Sequence, residues 1–392
     1  MTRSRTALAL LALLTVVGFS DRASAYPDFI GYGYTSCAVC HTNSLGNGPL
    51  TDYGRALFSQ EIAARPWISE SVTDEELAQL SGFIPGVELP YWIRPAIKTR
   101  SLWFQTQPGS SASQTRTIPM QRDLSLQLAA DEDHRTILTV TYGLLDRPRD
   151  YYGHGYRDEM VSREHYARFY LSDQWLVAVG LMDKAYGIRT PDHTAYSRAP
   201  LGFGQDDQVH GVLFHRLEEK WDVATHVFAG NLLRTEPTRH KGLSVTGEYE
   251  IAEKQRLGGS AAYFTHDTVE YARVGVHDRW ALPRTHGSSL MVEVGLKQDK
   301  VKATGNAKIG NYMFFESLIR MTRGYNLITT WERYQDEMRL TAVDNQRWTF
   351  GVLAFPFQRI ETRFTGVQQK SFTPDAAAED QWSIQGQIHV SL

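Results

Sequence analysis

The chain ends on Trp382-Ser383-Ile384-Gln385-Gly386-Gln387-Ile388-His389-Val390-Ser391-Leu392. Trp382, Ile384, Gly386, Ile388, Val390 and Leu392 share one parity, and Ser383, Gln385, Gln387, His389 and Ser391 share the other. A period of two puts alternate side chains on opposite faces of a β-strand, so this segment carries one apolar and one polar face. The pattern recurs upstream. Leu124, Leu126 and Leu128 interleave with Asp123, Ser125 and Gln127, and Leu138, Val140, Tyr142 and Leu144 with Ile137, Thr139, Thr141 and Gly143. Leu243, Val245, Gly247, Tyr249 and Ile251 interleave with Ser244, Thr246, Glu248 and Glu250, and Leu290, Val292, Val294 and Leu296 with Met291, Glu293, Gly295 and Lys297.

A soluble sandwich turns the apolar face of such strands inward, and a transmembrane barrel turns it outward. Connection lengths separate the two. Short turns fall near Asp131, Ser172, Glu218, Glu253, Arg323 and Pro356, and long polar loops near 146–161, 183–206, 230–242, 298–310, 335–345 and 368–380. Tight turns at one end and long loops at the other mark a membrane barrel. The expected fold is mainly β: a transmembrane antiparallel β-barrel of about 16 strands, opening near Ile93 and closing at Leu392, preceded by a small α-helical module. The stretch 265–288 is the least regular and leaves 14 to 18 strands open. Asp123, Arg168, Glu248, Glu250, Glu293, Lys297, Glu361 and Arg363 are expected to face a wet lumen. Turned to lipid at mid-depth, an Arg or Lys would cost about 2–4 kcal/mol.

The N-terminal quarter has a different character. Arg3 and Arg5 precede an apolar run from Ala7 to Phe19, and Ala23-Ser24-Ala25 is an A-x-A cleavage site, so residues 1–25 read as a secretory signal peptide. The run is too short to span a bilayer as a helix, and no second long apolar run follows. Losing Arg3, Arg5, Arg22 and Asp21 moves the formal charge from −3 to −5, a mild value that argues against a nucleic-acid role.

Next comes Cys37-Ala38-Val39-Cys40-His41, the attachment pattern of a c-type haem. Two thiols three residues apart form thioethers to one porphyrin, and His41 follows as the axial ligand to the haem iron. These are the only two cysteines of the chain, and residues 42 to 119 add no His, which argues against a structural zinc site. A disulfide across the motif is the plain alternative. Thr51 caps an expected helix from Asp52 to Ala64 that Pro66 stops, and Thr73-Asp74-Glu75-Glu76 is a capping box for a second helix ending near Gly82. Residues 26–90 are therefore expected to form a monohaem cytochrome c-like module, linked through 83–90 to the barrel at 91–392.

The module contains no Met and no second His before Met120. The iron is then five-coordinate, takes an unusual ligand such as the Tyr26 amine, Asn43 or Asn47, or takes His389, His226 or Met291 from the second domain. Tyr32, Tyr34 and Tyr53 are candidates to pack on the haem, and Arg55 to meet a propionate. In the loop from Asp146 to Met160, Asp158, Glu159 and His154 are candidates to hold Fe(II), and Tyr151, Tyr152 and Tyr156 accompany them. No nucleophile triad, phosphate loop or paired-carboxylate motif stands out.

The layout resembles the fused monohaem cytochrome–porins of the bacterial outer membrane, whose best-known members belong to iron-oxidising bacteria. The match lies in Cys37-Ala38-Val39-Cys40-His41-Thr42 followed by Leu50-Thr51-Asp52-Tyr53-Gly54-Arg55-Ala56-Leu57, similar to the family's haem motif and its Leu-Thr-x-aromatic-Gly-Arg stretch. The chain departs from the family in its Gly-rich spacer, Asn43 to Gly48, and in Gly33-Tyr34-Thr35-Ser36 where those members show Gln-Thr-Gly. The resemblance implies an outer-membrane electron conduit with one covalent haem c. Its partners would be outer-membrane lipid, periplasmic electron carriers and an extracellular redox donor or acceptor. A transport porin with a haem gate or sensor is the competing class.

Overall fold

The computed structural model describes residues 27–34, 36–65, 71–108, 112–192, 194–340, 344–373 and 376–392. The leader read at 1–25, Tyr26 and Pro66 lie outside them. Sixteen antiparallel strands, from Ile93–Pro108 to Ala376–Ser391, close into one barrel. The last strand pairs with the first from Gln381↔Pro108 to Ser391↔Lys98. Leu392 and Ile97 seal this seam with reciprocal backbone hydrogen bonds of 2.8 and 3.0 Å. The unclear stretch resolves as the strand Val269–Ala281.

The alternation sorts as expected. Leu124, Phe350 and Phe364 point outward at 59, 62 and 61 % exposure, whereas Glu293, Lys297 and Arg168 point inward at 0, 2 and 5 %. The inward charges meet partners, as in Arg256–Asp222 at 2.5 Å and Arg273–Asp299 at 2.7 Å. The partner's charge offsets part of the desolvation cost that each buried ion carries.

Three expected connections shift. The segments around 298–310 and 368–380 are largely strand, and 146–161 keeps a loop only at 150–157, because the hairpins run on past the apolar belt. Their polar composition disguises a continuing ladder, in which Asp299 opposes Lys308 across the hairpin. The turn expected near Pro356 lies at Gln358 and Arg359. The strand Asp344–Phe357 passes through Pro356 at an irregular pairing between Ala354 and Phe357, since proline donates no ladder hydrogen bond.

A barrel of this size leaves a channel, and here the chain enters it from both ends. From the short-turn end comes the N-terminal segment: short helices Pro27–Ile30 and Cys37–Cys40, a ribbon pairing His41–Asn43 with Asn47–Leu50, and the helix Asp52–Leu57. Thr51 caps that helix as expected, its hydroxyl accepting from Gly54 N at 3.0 Å. The helix does not stay regular to Ala64. It continues as a π-helical turn, Phe58–Ile62, closed by Ala63 N on Phe58 O at 2.9 Å. Barrel residue Arg323 takes the carbonyls of Ser59, Gln60 and Ala63 at this point. The capping box at Thr73 and Glu76 forms and starts the helix Asp74–Leu80. Gly82 follows the C-cap Ser81, and the barrel's Arg359 donates to the carbonyls of Leu80, Gly82 and Phe83.

The expected helical module is thus a set of short helices, four to seven residues each, rather than a separate helical body. Its core is completed by the barrel: Phe29, Tyr32, Cys40, Leu57 and Ile62 cluster with Leu318, Ile328, Leu353 and Phe355 of the lumen wall. Those four wall residues are apolar and face inward, which a wet lumen would penalise and a docked plug removes from water. Each such burial is worth about 1.5–3 kcal/mol.

From the long-loop end comes the segment 183–208. It takes in the stretch near 183–206 that was expected to be a long polar loop, yet Tyr186, Leu201 and Phe203 are buried within the barrel. Ile188 N donates to Glu293 Oε2 at 2.8 Å, and Tyr312 Oη bridges Tyr186 Oη and Glu293 Oε1 at 2.9 Å each. Asp192 is paired with Arg347 at 3.0 Å.

Candidate functional site

The C-x-x-C-H motif forms one helical turn, and His41 leaves it in extended conformation, buried. Both thiols are free. The glycines around the motif have steric reasons. A Cβ on Gly54 would meet Cys40 O at 2.4 Å, so only glycine lets the helix Asp52–Leu57 lie against the motif. Gly46 has φ +85, and a Cβ there would come within 2.8 Å of Cys37 Sγ. The spacer Asn43 to Gly48 is what lets the chain fold back over Cys37.

Burial sets the electrostatics. It pushes the Cys40 thiol up to about 12, with a smaller push from Cys37, and it raises the Cys37 thiol as well. Burial, helped by the positive charge of Lys98, lowers His41 to about 3. His41 is therefore a neutral imidazole at any physiological pH, the form that coordinates metals.

His41 lines a cavity of about 230 Å³ between the N-terminal segment and the inward loop. Phe29, Leu50, Phe58 and Phe355 give it an apolar side, and Arg55, Lys98, Arg100, Arg189 and Arg359 a basic one. The first and last strands supply Lys98, Arg100 and His389 to its wall. Cys37 lies in an adjoining space of about 60 Å³ that includes Met291 and Arg279, and Gly46 borders both spaces. Cys40 packs in the cluster whose Phe29 and Phe355 face the larger cavity. His41, aromatic surfaces and guanidinium groups line the larger cavity, with Cys37 on the adjoining space and Cys40 in the apolar cluster beside it; these are the group types that would hold a haem c.

The remaining candidates separate. Arg55 reaches the cavity and also pairs with Asp52. Tyr32 is buried, with its ring edge-on to His286 and 5.5 Å from the Arg320 guanidinium. Tyr34 is half-buried beside Phe29, and Tyr53 is 52 % exposed. Asn43 is committed to the barrel, donating to Glu164 Oε1 at 3.2 Å and accepting from Leu45 N at 3.1 Å. The side chain of Asn47 lies outside the described residues. His226 is buried edge-on to Phe228, and Met291 packs with Ile30, Ile188 and Phe314. Neither lines the cavity of His41.

At the long-loop end, Asp150, His154 and Asp158 bring one ligand atom each within 4.8 Å of one another. The carboxylates already hold the loop: Asp150 accepts from the backbone of Gly153, His154 and Gly155, and Asp158 from Tyr151 N. The sequence reading missed the inward loop and its Arg189. A signal was present, because Tyr186, Ile188, Leu201 and Phe203 are too apolar together for a solvated loop.

No protein-family model matches the chain, and no curated protein matches it. Solved structures do match. The anion-selective porin from Comamonas acidovorans superposes with a TM-score of 0.58 at 8% identity, covering 76% of this chain and 99% of that one. The outer membrane channel DcaP of Acinetobacter baumannii gives 0.57 at 11% identity over 76% and 97%. OprB of Pseudomonas putida gives 0.60 at 8% identity over 77% and 94%. The chain has the 16-strand barrel fold of outer-membrane porins.

Proposed function

We propose that this chain is an outer-membrane electron-transfer protein. One haem c, bound through Cys37, Cys40 and His41 inside the barrel, passes electrons between an extracellular donor such as Fe(II) and periplasmic carriers. The observation that carries the reading is the placement of His41: the histidine of the C-x-x-C-H motif opens on a cavity in the lumen, lined with aromatic and basic side chains. Haem c supplies a one-electron couple at a fixed position.

The chain's own residues do the rest. His41 offers a neutral nitrogen, kept so by burial. The basic cluster holds carboxylates and offsets their charge. Arg323 and Arg359 fasten the N-terminal segment to the barrel turns. The outward apolar faces suit lipid, and the apolar belt of such a barrel is about 25 Å tall. One cofactor does not bridge that height alone, so partners approach from both ends. Each Fe(II) oxidised releases one electron, and a periplasmic carrier takes it up.

A transport porin is the second reading, supported by the porin fold and the charged lumen wall. The test uses purified protein in sealed vesicles, with Fe(II) and an impermeant chelator outside and an oxidised acceptor trapped inside. Reduction of the trapped acceptor, lost in His41→Ala, supports conduction. An acceptor that stays oxidised refutes inward transfer. Solute permeation that persists with no redox activity supports the porin.

A further inference from the structure

Resting on the haem reading above, we infer that His389, held by Glu361, is the second axial ligand. His389 sits on the last strand and lines the same cavity as His41. Among the described residues lining that cavity there is no other His and no Met. The two ring nitrogens of His389 differ. Nδ1 lies 3.3 Å from Glu361 Oε2 and 3.5 Å from the Arg100 guanidinium, whereas Nε2 is buried and has no hydrogen-bond partner among the described residues.

The tautomer follows from these contacts. A carboxylate only accepts, so Nδ1 carries the proton and donates to Glu361. The Arg100 Nη2 contact to Nδ1, at 3.5 Å, is the longer of the two on this nitrogen, and Arg100 Nη1 is held by the carbonyl of Pro191 at 2.8 Å. Nε2 is then left with a free lone pair. A ligating histidine that gives its other N–H to a carboxylate is the usual arrangement behind a metal site, fixing ring orientation and raising basicity. The pair spans adjacent strands in direct register, Glu361↔His389, so the barrel ladder positions both groups.

Lys98 is the rival nitrogen on the cavity wall. Its ammonium donates to Gly48 O at 2.6 Å and would have to give up both that bond and a proton to ligate. His226 and Met291 line other parts of the lumen.

The test uses full-length protein carrying its haem. Covalent haem content, measured first by denaturing gel stain and pyridine haemochrome, decides the underlying reading: a wild type without covalent haem overturns both. With haem present, oxidised wild type is expected to be low-spin by electron paramagnetic resonance. His389→Ala is expected to become high-spin, to bind carbon monoxide when reduced, and to return to low-spin on adding imidazole. His389→Met, which keeps a ligand and so controls for folding, is expected to stay low-spin at a higher reduction potential. Glu361→Gln is expected to raise the potential too, since the weaker acceptor leaves the imidazole less electron-donating. A His389→Ala protein that keeps its haem and its wild-type low-spin spectrum overturns the inference and leaves the haem reading intact. Loss of the low-spin signal in Lys98→Met but not in His389→Ala overturns it in favour of Lys98.

Discussion

Replacing Arg323 by alanine removes the clamp between a barrel turn and the plug. Arg323 Nε donates to Ala63 O at 2.8 Å, and Nη2 to Ser59 O at 3.1 Å and to Gln60 O. A charged donor on a carbonyl contributes about 1.5–3 kcal/mol in a dry setting; in this half-open turn about 1 kcal/mol per bond is reasonable, or about 3 kcal/mol in all. At 1.4 kcal/mol per tenfold, the ratio of undocked to docked plug rises roughly 100-fold. The apolar cluster around Phe355 remains, so the plug loosens without leaving. In planar bilayers the variant should show transient full-barrel openings about 100 times as frequent as wild type, and Arg323→Lys should fall between. An Arg323→Ala barrel that migrates as folded and opens no more often than wild type would refute the docking argument.

Gly54→Ala places a methyl 2.4 Å from Cys40 O, an overpacking worth about 1–3 kcal/mol, and should lower the yield of covalently haem-loaded protein measured by gel stain. One acid-sensitive tie of the plug is Asp52, which pairs with Arg94 of the barrel. Burial pushes its carboxyl up, but the Arg94 hydrogen bond and the Arg55 and Arg94 charges win and hold it below its ordinary value. A depressed folded pKa contributes stability that is present above the ordinary carboxylate range and lost as pH falls through the folded pKa. Openings should therefore increase below about pH 4, and Asp52→Asn should show them already at pH 7.

The barrel was legible because period-two alternation is a local property, readable in most strands from Leu124 to Leu392 though not across 265–288. What lay inside it was not. Leu318, Ile328, Leu353 and Phe355 look like ordinary strand apolars, and only the closed ladder reveals that they face inward and receive the plug. The loop expected near 183–206 misled for a related reason: it was classed as a long polar connection, and its partners Glu293, Tyr312 and Arg347 are more than 100 residues away in sequence. Of the proposed site, Cys37, Cys40 and His41 could be picked out by spacing alone. His389 could be placed on a polar face, but its company of Glu361 and His41 depends on which strands become neighbours.

The seam between the first and last strands has a consequence for biogenesis. Lys98 and Arg100 lie on one lip and His389 on the other, so this wall of the cavity exists only once the ends of the barrel have zipped together. The N-terminal segment precedes every barrel strand and is seated against two turns near the end of the chain, at Arg323 and Arg359. The chamber is thus complete only when the seam is closed and the segment is seated, and on the haem reading closure of the barrel also encloses the cofactor.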